Sequence, residues 1–288
     1  MAIPGMLFLL VFHYVPLFMG WFIPFKKISY SKGIFESPWV GLDNFKFYFT
    51  SQDAFRTKRN TVVLNLMFIA ATISLSVLLA LMMFQLKDSS IKIYQTAIFV
   101  PYFISWVVAS YITYAFLTPE KGVITNIMSL LGHEKINFYT KPGAWPWILT
   151  ICYIWKGVGY NTLLFYASLI SIDSALLEAA ALDGASKAQR MWHVAIPHIA
   201  PIVIMMTLLS IGKIFYSDFG MFYFLTRDTG ALYSTTDVID TYVYRALRVT
   251  GDLGMSAAVC LYQSFVGFIL VLTSNLVVKK INPDHAMF

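Results

Sequence analysis

The sequence predicts an all-α membrane protein that crosses the bilayer about six times. Three observations carry that expectation. Hydrophobic residues make up 58% of the 288-residue chain and charged residues 12%, with a mean hydropathy of +0.67. Soluble domains run at about 45–50% apolar and about 25% charged. The apolar residues fall into six runs of the length a spanning helix needs, about 20 residues. The charges lie mostly between those runs. One globular core could not hide this much apolar surface, and a bilayer is its natural solvent. Aromatic residues at 17% fit, because Tyr and Trp collect at the two membrane interfaces.

The first run, 3–25, is too long for a signal-peptide core and has no small-residue cleavage site after it. No basic stretch precedes it, so a short N-terminal piece is expected to be missing. The second run is 61–86 and the third 93–117, with Pro101 inside it. A mid-span proline is tolerated where neighbouring helices satisfy the freed carbonyl. The fourth run is 145–172. A polar-amphipathic stretch, 173–193, separates it from the fifth, 194–216. The sixth is 253–278 and ends at Lys279 and Lys280. The whole chain, 1–288, reads as one transmembrane domain.

The formal charge of +6 does not indicate nucleic acid, because the basic residues are scattered rather than gathered into a stripe or arm. They suit anionic lipid headgroups instead. Cys152 and Cys260 each lie within an apolar run and read as buried small side chains. His13, His193 and His198 lack metal-site spacing; the last two are five apart, not the four of a one-face zinc pair. The Lys/Arg bias that usually orients a membrane protein does not decide here, since both sides carry similar basic density.

The stretch from Asp173 to Pro201 holds the most information. Asp173 suits an N-cap, and Ala175 to Leu182 are strong helix formers. Gly184 permits a left-handed residue and a sharp turn. Ser186 and Gln189 have capping-box spacing and start a second helix. Pro197 stands where the chain re-enters the membrane. Two short helices with a glycine elbow result, marginal in isolation. Leu176, Leu177 and Ala180 give them an apolar face, and Glu178 and Asp183 give charge for a basic partner. An ordinary interfacial hairpin is the plainer reading of the same features.

The run E-A-A-A-L-D-G-A from Glu178 to Ala185, followed by I-P at Ile196 and Pro197, resembles the EAA loop of ABC importer permeases. The motif positions are Glu178, Ala179, Ala180, Asp183, Gly184, Ile196 and Pro197, with Ile196 where leucine is more usual. The resemblance implies a type I ABC importer permease fold, with this loop as the coupling helix on a cytoplasmic ATPase. It therefore implies a multi-pass protein of the bacterial cytoplasmic membrane with both termini inside. It extends over essentially the whole chain. F-H-Y-V-P at Phe12, S-P-W-V-G-L-D-N-F at Ser37, P-Y-F-I-S-W-V-V at Pro101, I-W-K-G-V-G-Y at Ile154 and D-V-I-D-T-Y-V-Y-R at Asp237 resemble the oligosaccharide and polysaccharide branch, similar in fold to maltose-type permeases. The implied partners are a second homologous permease subunit, two ATPase subunits, an extracellular or periplasmic solute-binding protein, membrane lipid and a saccharide. The chain itself is implied to be no enzyme and to hold no cofactor, ATP and Mg belonging to the ATPase subunits.

Aromatic faces suit the apolar side of a sugar ring. Trp155, Lys156, Tyr160 and Asn161 in the fourth run, and Lys213, Tyr216 and Asp218 near the end of the fifth, are the candidate substrate-pathway residues. A charge inside a span usually faces a cavity or partner, which singles out Lys156 and Lys213. If both face the cavity, an acidic saccharide becomes plausible. Lys156 could instead pair structurally, and Lys213 could snorkel. Phe99, Tyr102, Phe103 and Trp106 read as packing or interface anchors, and the loop from Asp228 to Arg248 as a contact for the binding protein. An ion-coupled secondary transporter is the alternative, but it needs intramembrane carboxylates, and the six runs contain almost none. A membrane enzyme on lipid-linked sugars would need catalytic carboxylates or a metal cluster at a membrane face. No P-loop is present: Gly212-Lys213 is followed by isoleucine.

Overall fold

The computed structural model describes residues 3–281 and Pro283. Among these the chain is helical, with two isolated β-bridges and no strand. Helix α1 is Ile3–Phe25, α2 Asp53–Phe84, α3 Asp88–Phe99 and α4 Trp106–Leu117. Then come α5 Trp145–Leu169, α6 Ser174–Leu182, α7 Lys187–Gly212, α8 Ile239–Thr250 and α9 Leu253–Ile281. Four of these, α1, α2, α7 and α9, are by themselves long and apolar enough to cross a membrane. Two further candidate spans are bent pairs: α3 with α4, at 100°, and α5 with α6, at 72°.

The centre is α2 against α5. The buried residues of α2 include Leu64, Phe68, Thr72, Ser76 and Ala80, one every four positions, the spacing of one helical face. The large members sit toward one end and the small ones toward the other. Phe68 stacks on Tyr153 at 4.7 Å. Further along, the Ser76 hydroxyl donates to the Val158 carbonyl at 3.1 Å, a contact only small residues allow. Leu64 anchors one apolar cluster with Leu117, Trp145 and Phe222, and Ala80 anchors another with Phe165, Leu169 and Ile199. Sixteen residues of α2 separate these anchors, about 24 Å at 1.5 Å per residue. The molecule thus has two packed ends, and α6 belongs to the second, through Leu177.

Four boundaries differ from the sequence reading. The third span is not one helix. It breaks after the 3₁₀ turn Val100–Phe103, and α4 restarts with Ser105 as N-cap, its hydroxyl accepting the Val108 N–H. Pro101 supplies no N–H and opens that turn instead of sitting inside a continuous helix. The second loop helix is not separate from the fifth span: Lys187–Arg190 runs through a π-helical stretch, Met191–Ala195, into Ile196–Gly212. Such a turn re-registers the hydrogen-bond ladder just where Pro197 cannot donate. That helix ends at Gly212 rather than at Tyr216, and α2 begins at Asp53, eight residues before the apolar run.

Glycine lets α5 seat against the broken span. A β-carbon on Gly159 would lie 2.0 Å from the Ile98 carbonyl oxygen and 3.0 Å from the Phe99 Cα. Both obstacles are backbone, so neither can swing aside. Gly159→Val should cost the about 1–3 kcal/mol or more of an overpacked contact, read as a lower melting temperature of the detergent-purified protein.

Candidate functional site

Two regions bring the candidate residues together. The first is the α5 face against the break between α3 and α4. The Lys156 ammonium donates to the carbonyls of Tyr102, at 2.7 Å, and Ile104, at 2.6 Å. Those are carbonyls that the broken helix leaves without an intrahelical donor. Tyr102 and Trp106 flank the ammonium, each ring centroid 5.5 Å away. Tyr160 stacks on Tyr102 at 5.3 Å and 16°, and Phe99 stacks on Tyr102. The Trp106 indole N–H donates to the Asp218 carboxylate, which also accepts the Met221 N–H at 3.2 Å. Lys156 and Tyr160 therefore grip the P-Y-F-I-S-W segment by hydrogen bonds and stacking, and Gly159 lets α5 approach the end of α3 just before it.

An ammonium has three donors, and two of Lys156's are spent on this brace. Lys156→Met should therefore lower transport of neutral and acidic saccharides together, since it loosens the bend between α3 and α4. Uptake assays with both substrate classes check this; a loss confined to the acidic class would show that Lys156 reads substrate charge.

The other pathway candidates are more open. Trp155, Tyr160 and Tyr216 are each about two-fifths exposed, and Asn161 is half-buried. Lys213 is the exposed C-cap of α7, and among the described residues its side chain makes no hydrogen bond or ion pair. Tyr216 shares a hydroxyl contact with Ser264 on α9. Lys156 and Tyr160 thus sit at the bend, while Lys213 and Tyr216 lie on the α7 end against α9.

The second region is the loop between α5 and α6 and its continuation. Asp173 caps α6 by accepting the Ala175 N–H at 3.0 Å. Glu178, Ala179, Asp183 and Gly184 are exposed, and Leu182 is 91% exposed. Ala180 is partly covered. Gly184 has φ +84°, and the Ser186–Gln189 capping box is formed in full. Pro197 is exposed and Ile196 half-buried at the start of the regular part of α7. Leu177 points into the apolar cluster of α2, α5 and α7, so one side of α6 is fixed and the other is bare.

The sequence reading missed a third group, at the opposite end. Asp237 is 1% exposed. One carboxylate oxygen pairs with Arg56 of α2 at 2.8 Å, and the other pairs with Arg245 of α8. Arg245 also reaches Asp228 at 2.9 Å, and Arg56 reaches Asp53 at 2.8 Å. The Asn60 amide donates to the Asp237 carbonyl at 3.0 Å. Beside them, burial pushes the Asp240 carboxyl up to about 6, against the opposing pull of the Ser217 N–H and the Gln263 amide. Part of the segment 228–248 is therefore built into the frame rather than being a free surface loop. The D-V-I-D-T-Y-V-Y-R string held three of these charges, Asp237, Asp240 and Arg245, but nothing in the sequence pointed to Arg56, 181 residues from Asp237.

Residues 54–283 match the family described as the binding-protein-dependent transport system inner membrane component. Protein LplB of Bacillus subtilis is 35% identical over 285 residues, 99% of this chain and 89% of that protein. The polygalacturonan/rhamnogalacturonan transport system permease protein YteP of the same species is 33% identical, over 99% of this chain and 88% of its own. Among solved structures, a bacterial ABC transporter involved in the import of the acidic polysaccharide alginate superposes with a TM-score of 0.87 at 28% identity, covering 97% of this chain and 93% of that one. The match spans both regions described above, and by it the chain belongs to the binding-protein-dependent transport system inner membrane components.

Proposed function

We propose that the chain is one of two membrane-spanning subunits of an ATP-driven importer that passes an acidic oligosaccharide or polysaccharide fragment from a solute-binding protein into the cytoplasm. The observation that carries this is α6: a capped helix fixed on one side through Leu177 and bare on the other, on the loop whose motif resembles the ATPase-docking loop. Glu178 to Gly184 present its contact surface, with Ile196 and Pro197 placing the return into the membrane. Docking there puts this end, and both termini, in the cytoplasm. ATP and Mg stay on the partner ATPases. ATP-driven closure of those subunits would move α6, and Leu177 and its cluster would carry the movement into α2, α5 and α7 as a rigid body. Because α5 also grips the break between α3 and α4 through Lys156, the same movement would reach the pathway residues.

Helix α1 supports the second permease subunit. It is 23 residues long and strongly apolar, and its apolar stretch is not buried against the rest of the described chain. The acidic substrate class rests on relatives: one handles polygalacturonan/rhamnogalacturonan and another is a structure of an alginate importer. The ion-coupled alternative has no support, since α1, α4, α5, α7 and α9 contain no carboxylate, α2 and α3 carry theirs at their first residues, and Glu178 lies on the exposed helix α6. The test is reconstitution with the partner permease, both ATPases and the binding protein in proteoliposomes. Saccharide-stimulated hydrolysis with saccharide uptake is expected; uptake that follows an ion gradient without ATP would overturn the reading.

A further inference from the structure

At the end remote from α6, a cavity of about 250 Å³ opens between α4 and the turn that follows the π-helical stretch Met221–Leu225. Its wall includes Ser110, Tyr111 and Tyr114 of α4, Tyr223 of the π-helical stretch, and Arg227 and Asp228 of the turn. Arg227 lies over the Tyr114 ring, 4.3 Å from its centroid. Among the described residues its guanidinium makes no hydrogen bond or ion pair. The one acid in the wall, Asp228, is already met by Arg245 at 2.9 Å and by the Tyr233 hydroxyl at 3.0 Å. The cavity therefore offers a single uncommitted charge, positive, on an aromatic platform.

Arg227 and Asp228 both hold the left-handed backbone, with φ of +57° and +46°. Neither is a glycine. Outliers of this kind persist where surrounding contacts over-determine them, and they concentrate at ligand clamps. Here Arg245 and Tyr233 fix Asp228, and the fixed turn aims its neighbour Arg227 at the cavity.

We propose that this cavity is an entrance subsite for one uronate unit of the saccharide, separate from the bend residues Lys156 and Tyr160. The guanidinium fork matches a carboxylate with two parallel hydrogen bonds, while tyrosine faces take the apolar side of the pyranose ring. The volume lies below the about 300–1,000 Å³ of sites that enclose a drug-sized ligand, so it suits one ring of a longer chain. Its place at the end opposite α6 makes it a contact made early, before the unit reaches the bend. The proposal rests on the acidic-saccharide reading above.

The test uses the complete transporter with its binding protein in proteoliposomes. Uronate trimers (galacturonate and alginate types) and their carboxyl-reduced counterparts are compared by the half-saturating concentration for stimulated ATP hydrolysis. Wild type should prefer the acidic trimers, and Arg227→Gln should cut that preference by about tenfold or more, the value of a charge-assisted hydrogen-bonded pair. Arg227→Lys, which keeps charge but loses the fork, should fall between. Wild type that prefers acidic trimers, with Arg227→Gln keeping the full preference, overturns the subsite alone. Equal weakening for both trimer forms also overturns it, showing a merely structural arginine. Wild type that answers to no acidic trimer overturns the acidic-substrate reading and the subsite with it.

Discussion

Asp237→Ala should destabilise the folded chain more than any single change to its exposed charges. The side chain is wholly buried, while Arg56 and Arg245 are 33% and 21% exposed at the side chain. A buried carboxylate is tolerable here because two guanidiniums and the Thr241 hydroxyl, at 3.2 Å, surround it. Removing it leaves two cations facing one vacated space. Breaking such a buried set by deleting one partner costs about 3–5 kcal/mol, and the partial exposure of the arginines favours the lower end. The loss would remove the charged tie between this turn and α2, leaving the bonds of Arg59, Asn60 and Thr61 to backbone groups of residues 234–239. Thermal unfolding of the detergent-purified protein checks this. Arg56→Gln should lower the melting temperature less, since Arg245 still serves Asp237 and Asp53 loses only an exposed contact. Parental melting of Asp237→Ala would mean that the network merely fills space.

That network and the bend mark where sequence reading runs out. The long helices were legible because lipid offers no hydrogen bonds, so each span must be an apolar helix of a minimum length. The caps of α6 were legible too. Asp173, Gly184, Ser186 and Gln189 act on neighbours two to five residues away, and local chemistry of that range is written in the sequence. Lys156 was not. Inside an apolar run it looks like a group facing a cavity, yet its acceptors are carbonyls 54 and 52 residues away. Backbone acceptors have no residue type, so no pattern announces them. The break itself had a visible cause in Pro101, but a proline within a span is compatible with a continuous kinked helix or with a fresh start. Only the Ser105 cap and the approach of Gly159 decide for the second. Arg227 was hidden for a related reason: its significance lies in a guanidinium with no hydrogen bond or ion pair among the described residues, in a cavity assembled from two distant segments.

Gly184→Pro should leave a protein that inserts and melts normally but, in the proposed complex, transports poorly for the ATP its partner ATPases consume. The end of α6 closes by a Schellman arrangement: the Ala185 N–H donates to the Ala180 carbonyl at 3.0 Å, and the Gly184 N–H donates to the Ala181 carbonyl at 3.1 Å. Both bonds need the left-handed residue between them, and Gly184 supplies it at φ +84°. Proline fixes φ near −65° and has no N–H, so it forbids the angle and removes a donor together. A β-carbon built on Gly184 meets nothing within 4 Å beyond its chain neighbours, so the effect of Gly184→Ala reports the backbone turn rather than a clash. A cost of about 3 kcal/mol is about a hundredfold in the fraction of loops that keep the docking shape. Gly184→Ala, which pays only the left-handed penalty of about 1–2 kcal/mol, should give a milder version of the same defect. The loop's own anchor, Leu177 in its cluster, lies before the turn and is untouched, so folding and coupling should separate. The measurement is uptake per ATP hydrolysed in proteoliposomes, alongside melting temperature. Full uptake by Gly184→Pro would reject the elbow as the element that seats the chain on its ATPase. A fall in uptake with unchanged melting would place the defect at the docking surface, because the frame that carries α6 would still be whole.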